Sequence, residues 1–365
     1  MNEAGRAAAP DDGAWMRRAL ALAERGWGQT APNPMVGAVV VRDGVAVGEG
    51  WHTRYGEAHA EVEALHSAGE RARGATLYVT LEPCNHEGHT PPCTDAILGA
   101  GIRRVVAAVG DPNPVARGGL ERLRAGGVEV LADVEHAKAR ELNAAFFHGL
   151  ASDRPFVRLK LALSLDGAIA DRTRHPGWLS GHDARSEVHR LRAGSDAVAV
   201  GIGTALADDP LLTVRGFTPA RVAPMRVVFD TSARLPLASK LVQSVQVAPV
   251  LVVCWAPDPT HAAALEHAGV ELLHAASLPH ALRALRARGV GSLMVEGGSG
   301  LASAFLQDAL VDRLVIFRAP ILLGGGSLNA FGSLSPNTIE EAPRWEIVEA
   351  RRYGDDELTV YKPPG

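Results

Sequence analysis

Two cysteines and two histidines fall within the segment EPCNHEGHTPPC, residues 82–93. Thiolates and imidazoles at such spacing are ligands for zinc. On composition alone, Cys84, His86, His89 and Cys93 describe a small closed structural site. A second motif, His59-Ala60-Glu61, begins 25 residues before Cys84 and suggests a different use. A catalytic zinc keeps three protein ligands and an open position for water, and a nearby carboxylate that is not a ligand can then move protons.

His-x-Glu followed by Pro-Cys and a second Cys is the pattern of zinc-dependent nucleobase deaminases. In that pattern His59, Cys84 and Cys93 hold one zinc ion per chain, and Glu61 carries a proton from the water to the departing amine. The short form of the motif has two residues between its cysteines, whereas here eight intervene, NHEGHTPP. Such an insertion must loop out and return, which suits contact with substrate better than with metal. His86 and His89 are therefore read as non-ligands. The compact Cys-His-His-Cys site stays open as the alternative, although Cys-x-His and His-x3-Cys are tight spacings for one tetrahedral centre. His66 reads as a surface or capping residue and Cys254, inside VLVVCW, as core.

Elements that could hold these groups follow from periodicity. Residues 14–27 have helical apolar spacing, and MVGAVVV-RDG-VAVGEG reads as two strands turning at Asp43-Gly44. A helix through EAHAEVEALHSAGE would carry His59 and Glu61 in its first turn, and ATLYVTLEP is a strand leading to Cys84. PPCTDAILGAG starts a helix with prolines in its first turn, where the dipole favours a Cys93 thiolate. Strand, helix and strand follow to residue 132, and one helix over EHAKARELNAAFFHGL ends the unit. The result is an α/β sandwich of roughly five strands. GLASDRPF breaks the pattern, so the domains are set at 14–150 and 151–365, behind a flexible start over 1–13. The second domain is again α/β: strands at FVRLKLALSL, AVAVG, RVVFD, PVLVVCW, SLMVEGG and RLVIFRAP, helices near 279–289 and 299–310, and two antiparallel strands around Gly354-Asp355.

Bulk properties narrow the function classes. The 365 residues carry 37 basic and 41 acidic side chains, a formal net charge of -4, which gives no general pull toward nucleic acid or anionic membrane. No stretch reaches the ~18 apolar residues of a membrane span. Three cysteines and no secretory leader point to a reducing, cytoplasmic setting.

NPMVGAVV, GWHTRYGEAHAE and LEPCNHEGHTPPC resemble the first half of the bifunctional deaminase–reductase family of riboflavin biosynthesis. LKLALSLDGAIA, WLSGHDARSEVHRLRAGSDAVAVGIGTALADDPLLTVR and VEGGSGLASAFL resemble its second half, in the family's order. The resemblance implies a cytidine-deaminase-like α/β/α sandwich followed by a dihydrofolate-reductase-like α/β domain. It implies deamination of a diaminopyrimidinone ribosylamino 5-phosphate to the uracil, then NADPH-dependent reduction of ribosyl to ribityl. Substrates would be small phosphorylated pyrimidines, with neither nucleic acid nor membrane as partner; a homo-oligomer is compatible with it. Asn33, His52 and His86 match positions lining the deaminase pocket. Ala162, Trp178, Thr204 and Asp208 match cofactor contacts. Arg192, Leu212, Arg215 and Glu296 match reductase substrate contacts, two of them arginines suited to a phosphate.

SLMVEGGSGLASAF also has a physical reading of its own. A strand delivers Gly297, Gly298, Ser299 and Gly300 to a helix start, where free N–H groups receive phosphate; the same turn is common as plain structure. No G-x-G-x-x-G occurs, so a Rossmann reading has no support. Two positions depart from the family. His89 stands where Arg or Lys is usual on the deaminase loop, replacing a permanent charge by an imidazole. Pro176 stands where a serine usually contacts the reductase substrate. Two rival functions remain at this point: a deaminase acting on tRNA, and a non-catalytic zinc and nucleotide sensor. Binding of a stem-loop would mark the first, and metal without ammonia release the second.

Overall fold

The computed structural model describes residues 12–87, 91–174, 177–332, 334 and 338–364. His89 and Pro176 lie outside them. The chain divides into two compact units, Met1–Ala151 and Ser152–Gly365.

In chain order the first unit contains α1 (Asp12–Ala23), β1 (Gly37–Arg42), β2 (Val45–Trp51), α2 (Ala60–Ala68), β3 (Thr76–Val79), α3 (Cys93–Gly99), β4 (Arg104–Ala107), α4 (Gly119–Ala125), β5 (Glu129–Leu131), α5 (His136–Leu142) and α6 (Ala144–Ala151). Its sheet has five strands in the order β2-β1-β3-β4-β5. β1 is antiparallel to both neighbours, and β3, β4 and β5 run parallel. Alternate strand residues feed two cores. Ala38, Val40, Leu77 and Val105 pack with Ala64, Ile97 and Leu123; Val39, Val41, Tyr78 and Val106 pack with Met16, Ala139 and Phe147. Period-two alternation thus makes a three-layer sandwich.

Asp43 and Gly44 turn the β1–β2 hairpin with φ of 52° and 76°, the left-handed pair that such a tight turn needs. The expected closing helix is two helices, broken at Asn143. That side chain is 3% exposed and bonds Met35 main chain at both ends, accepting from its N–H and donating to its carbonyl at 2.8 Å each. Pro92 is the cap before α3 rather than part of its first turn, so the helix opens on Cys93 itself.

The second unit contains β6 (Phe156–Leu163), β7 (Ala168–Ala170), α7 (His182–Ala193), β8 (Ala197–Gly201), α8 (Ile202–Asp208), β9 (Met225–Phe229), α9 (Lys240–Gln243), β10 (Val250–Cys254), α10 (Pro259–His267), β11 (Glu271–His274), α11 (Leu278–Ala287), β12 (Ser292–Val295), α12 (Ser299–Gln307), β13 (Arg313–Arg318), β14 (Leu328–Asn329), β15 (Glu346–Tyr353) and β16 (Asp356–Lys362). Nine strands form one sheet, β11-β10-β9-β8-β12-β6-β13-β16-β15. It is parallel from β11 to β13 and closes with the antiparallel pair at the C-terminal end. Strands such as β8 and β10 read as continuous apolar runs because both faces are covered. β11 was not foreseen: it is a four-residue edge strand whose solvated side leaves no apolar run to read. Among the described residues no helix is long and apolar enough to cross a membrane.

Candidate active site

Three elements of the first unit converge at one end of its sheet. His59 is the N-cap residue of α2, Cys84 follows β3, and Cys93 is the first residue of α3. His59 Nδ1 lies 3.2 Å from Cys93 Sγ and 3.5 Å from Cys84 Sγ. One donor atom from each falls within 4.8 Å of the others. Two sulfurs this close cannot both ionise without a cation between them. Cys84 is held down to about 4, chiefly by the Cys93 thiol's hydrogen bond, and Cys93 is pushed up, chiefly by that same bond. Two soft sulfurs and one imidazole, with no fourth donor grouped with them among the described residues, fit a catalytic zinc.

Glu61, in the first turn of α2, is 3% exposed and hydrogen-bonds with the Cys93 thiol. Burial pushes its carboxyl above the ordinary value, partly opposed by His59, so the group can take up and give back a proton. His52 is buried with its ring edge-on to His59, centroids 5.7 Å apart. Its Nδ1 bonds Ala58 O at 3.1 Å, and its Nε2 lies 3.4 Å from Asn33 Nδ2. His86 is outside the three-residue metal group, and its buried Nδ1 has no hydrogen-bond partner among the described residues. Asp111 was missed by sequence reasoning. Burial raises its carboxyl, and it interacts electrostatically with Cys84 and His86. The Asp-Pro-Asn-Pro turn that carries it was visible in the sequence, but its proximity to residue 86 was not.

In the second unit Ala162, Thr204, Glu296 and the Gly297–Gly300 turn lie at or just past the carboxyl ends of the neighbouring parallel strands β6, β8 and β12, where open α/β sheets place ligands. Gly297 and Gly298 lead from β12 into α12, and Ser299 and Gly300 open that helix. A Cβ at Gly298 would stand 3.1 Å from Thr204 Oγ1, so this backbone cradle and the α8 side chain are adjacent. Open helical N–H groups above bare glycines fit a phosphate of a nicotinamide cofactor. Ala162 lies on β6, Asp208 ends α8, and Trp178 is 77% exposed with the Arg185 guanidinium 5.1 Å from its ring centroid.

Arg192, on α7, grips Glu296 with Nε at 2.5 Å and Nη2 at 3.0 Å, and donates through Nη1 to Thr213 O at 3.0 Å. Burial alone would raise Glu296; the guanidinium holds it below its ordinary value. Leu212 is buried with φ 54°, a left-handed conformation that turns the following chain toward α7. Arg215 is exposed, and its main-chain N–H donates to His189 Nδ1 at 3.2 Å. Arg192 is thus committed to protein partners, which leaves Arg215 as the freer cation. Lys160 was also missed. Val295 pairs with Leu159, which sets Glu296 beside Lys160; burial lowers this ammonium's pKa while Glu296 opposes the shift. The signal was a lysine inside the apolar run LKLAL.

Two family patterns match the chain. The cytidine and deoxycytidylate deaminase zinc-binding region covers residues 10–109, and the RibD C-terminal domain covers residues 155–359. The riboflavin biosynthesis protein RibD of Aquifex aeolicus is 42% identical over 351 residues, 95% of this chain and 97% of that one. The Escherichia coli protein of the same name is 39% identical, with 94% and 96% covered. Among solved structures, Acinetobacter baumannii RibD (form 1) aligns with a TM-score of 0.83 at 37% identity, covering 97% of this chain and 99% of that one. A Thermotoga maritima diaminohydroxyphosphoribosylaminopyrimidine deaminase/5-amino-6-(5-phosphoribosylamino)uracil reductase gives the same four values.

Proposed function

Because the chain belongs to the RibD family of riboflavin biosynthesis and carries both its deaminase and its reductase regions, we infer that its two units perform consecutive steps on one small phosphorylated pyrimidine. It is a bifunctional deaminase and reductase of riboflavin biosynthesis. In the first step 2,5-diamino-6-(5-phosphoribosylamino)pyrimidin-4-one loses its ring amine to water, giving 5-amino-6-(5-phosphoribosylamino)uracil and ammonia. In the second the ribosyl unit is reduced to ribityl.

The observation that carries the reading is the convergence of His59, Cys84 and Cys93 within 4.8 Å beside buried Glu61. We assign those three side chains to one zinc ion per chain, which when bound would lower the pKa of a water and ready it for attack. Glu61 takes that water's proton and hands it to the departing amine; its buried, raised carboxyl suits both halves of the transfer. Asn33, His52 and His86 line the pyrimidine pocket, and the unpartnered His86 nitrogen is free to bond substrate. His89, on the same loop, is assigned to the substrate phosphate.

In the second unit the working domain is set at 151–365, after a deaminase domain at 14–150. NADPH, when bound, would supply the hydride, and Ala162, Trp178, Thr204, Asp208 and the Gly297–Gly300 turn are assigned to hold it. Arg215 is assigned to the sugar phosphate, and Pro176, Arg192, Leu212 and Glu296 to other contacts with the same substrate. Hydride transfer also requires a proton, and Lys160, whose ammonium pKa burial lowers, is the group assigned to hold it, beside a Glu296 that Arg192 keeps ionised. The setting is the cytoplasm.

The test is to incubate purified protein with the diaminopyrimidinone phosphate and NADPH while following ammonia and cofactor oxidation together. Ammonia should precede oxidation and should vanish after chelation of zinc. Oxidation without prior ammonia, or ammonia insensitive to chelation, refutes the scheme.

A further inference from the structure

The two cysteine-bearing segments are tied to a third, Asp111–Arg122, that supplies none of the three ligand side chains. Glu82 stands two residues before Cys84 and is 8% exposed. Its Oε1 accepts from Gly118 N at 3.0 Å and Leu120 N at 3.1 Å, and its Oε2 accepts from Asp111 N at 2.9 Å. Its own N–H donates to Val109 O at 2.8 Å. Against this clamp lies Gly119, where a Cβ would stand 1.8 Å from Pro83 O; no side chain larger than hydrogen fits without moving the main chain that leads into Cys84.

Beyond the clamp, the tie extends to Cys93. Asn85 N donates to Ala116 O at 3.2 Å, and its Oδ1 accepts from Thr94 Oγ1 and from Arg122 Nη1, each at 3.1 Å. Thr94, fully buried, donates its N–H to Cys84 O at 3.3 Å, and Cys93 N points at Cys84 Sγ, 3.4 Å away.

We propose that Glu82 is a positioning residue for the metal centre. By gathering three main-chain N–H groups of the Asp111–Leu120 segment it fixes the backbone from which Cys84 projects. A carboxylate suits the place because both oxygens accept. An amide would keep one acceptor and turn an NH2 group toward a main-chain N–H. Outer partners of this kind orient the ligands that touch metal, and their loss costs about 10- to 100-fold in metal affinity.

The inference rests on His59, Cys84 and Cys93 being the zinc ligands. The test uses full-length wild-type, Glu82→Gln and Glu82→Asp proteins. Zinc affinity is measured by competition with a chromophoric chelator, and ligand geometry from the visible spectrum of the cobalt-substituted forms. Reductase activity on pre-deaminated substrate and the melting temperature report the rest of the chain. Glu82→Gln should hold zinc about 10- to 100-fold more weakly with an altered cobalt spectrum, the reductase staying within twofold of wild type. Glu82→Asp, which keeps both acceptors on a shorter stem, should fall between, and it decides the matter should the amide variant not fold. Wild-type affinity and spectrum in the variants that fold would overturn the proposal. Wild-type protein that binds no zinc would instead refute the ligand assignment on which it rests.

Discussion

Replacing Glu61 by Gln separates catalysis from architecture. The side chain is 3% exposed, and burial raises its carboxyl, so at neutral pH an ionised Glu61 is a charge the fold accommodates at a cost. Gln keeps the shape and removes that charge. The variant's melting temperature should therefore match or exceed that of wild type. Loss of a positioned acid–base group typically slows a reaction about 10²- to 10⁴-fold, or about 2.7–5.4 kcal/mol of barrier at 1.36 kcal/mol per decade. Of the ionisable groups nearby, His52 is bound to Ala58 O, and Asp111 bonds the Asn113 main chain through Oδ1 at 2.9 Å. Of the three, only Glu61 interacts with the Cys93 thiol, so no replacement shuttle should restore the rate. The assay is ammonia release under saturating substrate, with zinc content and reductase activity measured on the same preparation. A deamination rate within threefold of wild type, with zinc retained, refutes the reasoning. So does a rate loss accompanied by a lower melting temperature and lost metal, because that would make Glu61 structural.

Metal analysis should find about one zinc per chain, largely lost in His59→Ala, Cys84→Ala and Cys93→Ala and kept in His86→Ala; the reverse for His59 and His86 would restore the compact loop site. Arg215→Ala should raise the reductase KM for substrate far more than for cofactor. Gly298→Val should do the opposite, since its branched side chain would meet Thr204 Oγ1; both changes weakening the same ligand would refute the division of that site. Glu296 carries a depressed pKa, so the Arg192 pair's contribution is complete above the unfolded value of 4.5 and is lost as pH falls through the lower folded value. At pH 7, Glu296→Gln leaves a buried guanidinium unpaired and should lower stability by about 3–5 kcal/mol in urea unfolding, with the pH dependence of that contribution gone. A double Arg192→Met/Glu296→Met variant should lose far less, and equal losses would contradict the pairing.

Side-chain chemistry and local turn signals were legible in the sequence. Cys84, Cys93 and the His59-Ala60-Glu61 step announce a zinc-assisted water reaction because few other side chains bind that metal and no bland use needs that order. Asp43-Gly44 announces its hairpin because a two-residue turn demands left-handed backbone there, and the apolar runs of β8 and β10 announce buried parallel strands. What the sequence could not disclose are contacts that span the fold. Asn143 breaks a helix because Met35, 108 positions away, offers both main-chain partners. Glu82 reads as one more acidic residue until the β3–β4 pairing brings the chain from Asp111 to Leu120 under it, 29 to 38 positions on. Lys160 and Glu296 become neighbours through the β6–β12 register. Residue type sets which reactions are available. Strand register and helix seating set which polar groups are buried together, and burial then decides their charge, because a group's pKa depends on neighbours that only the closed chain supplies.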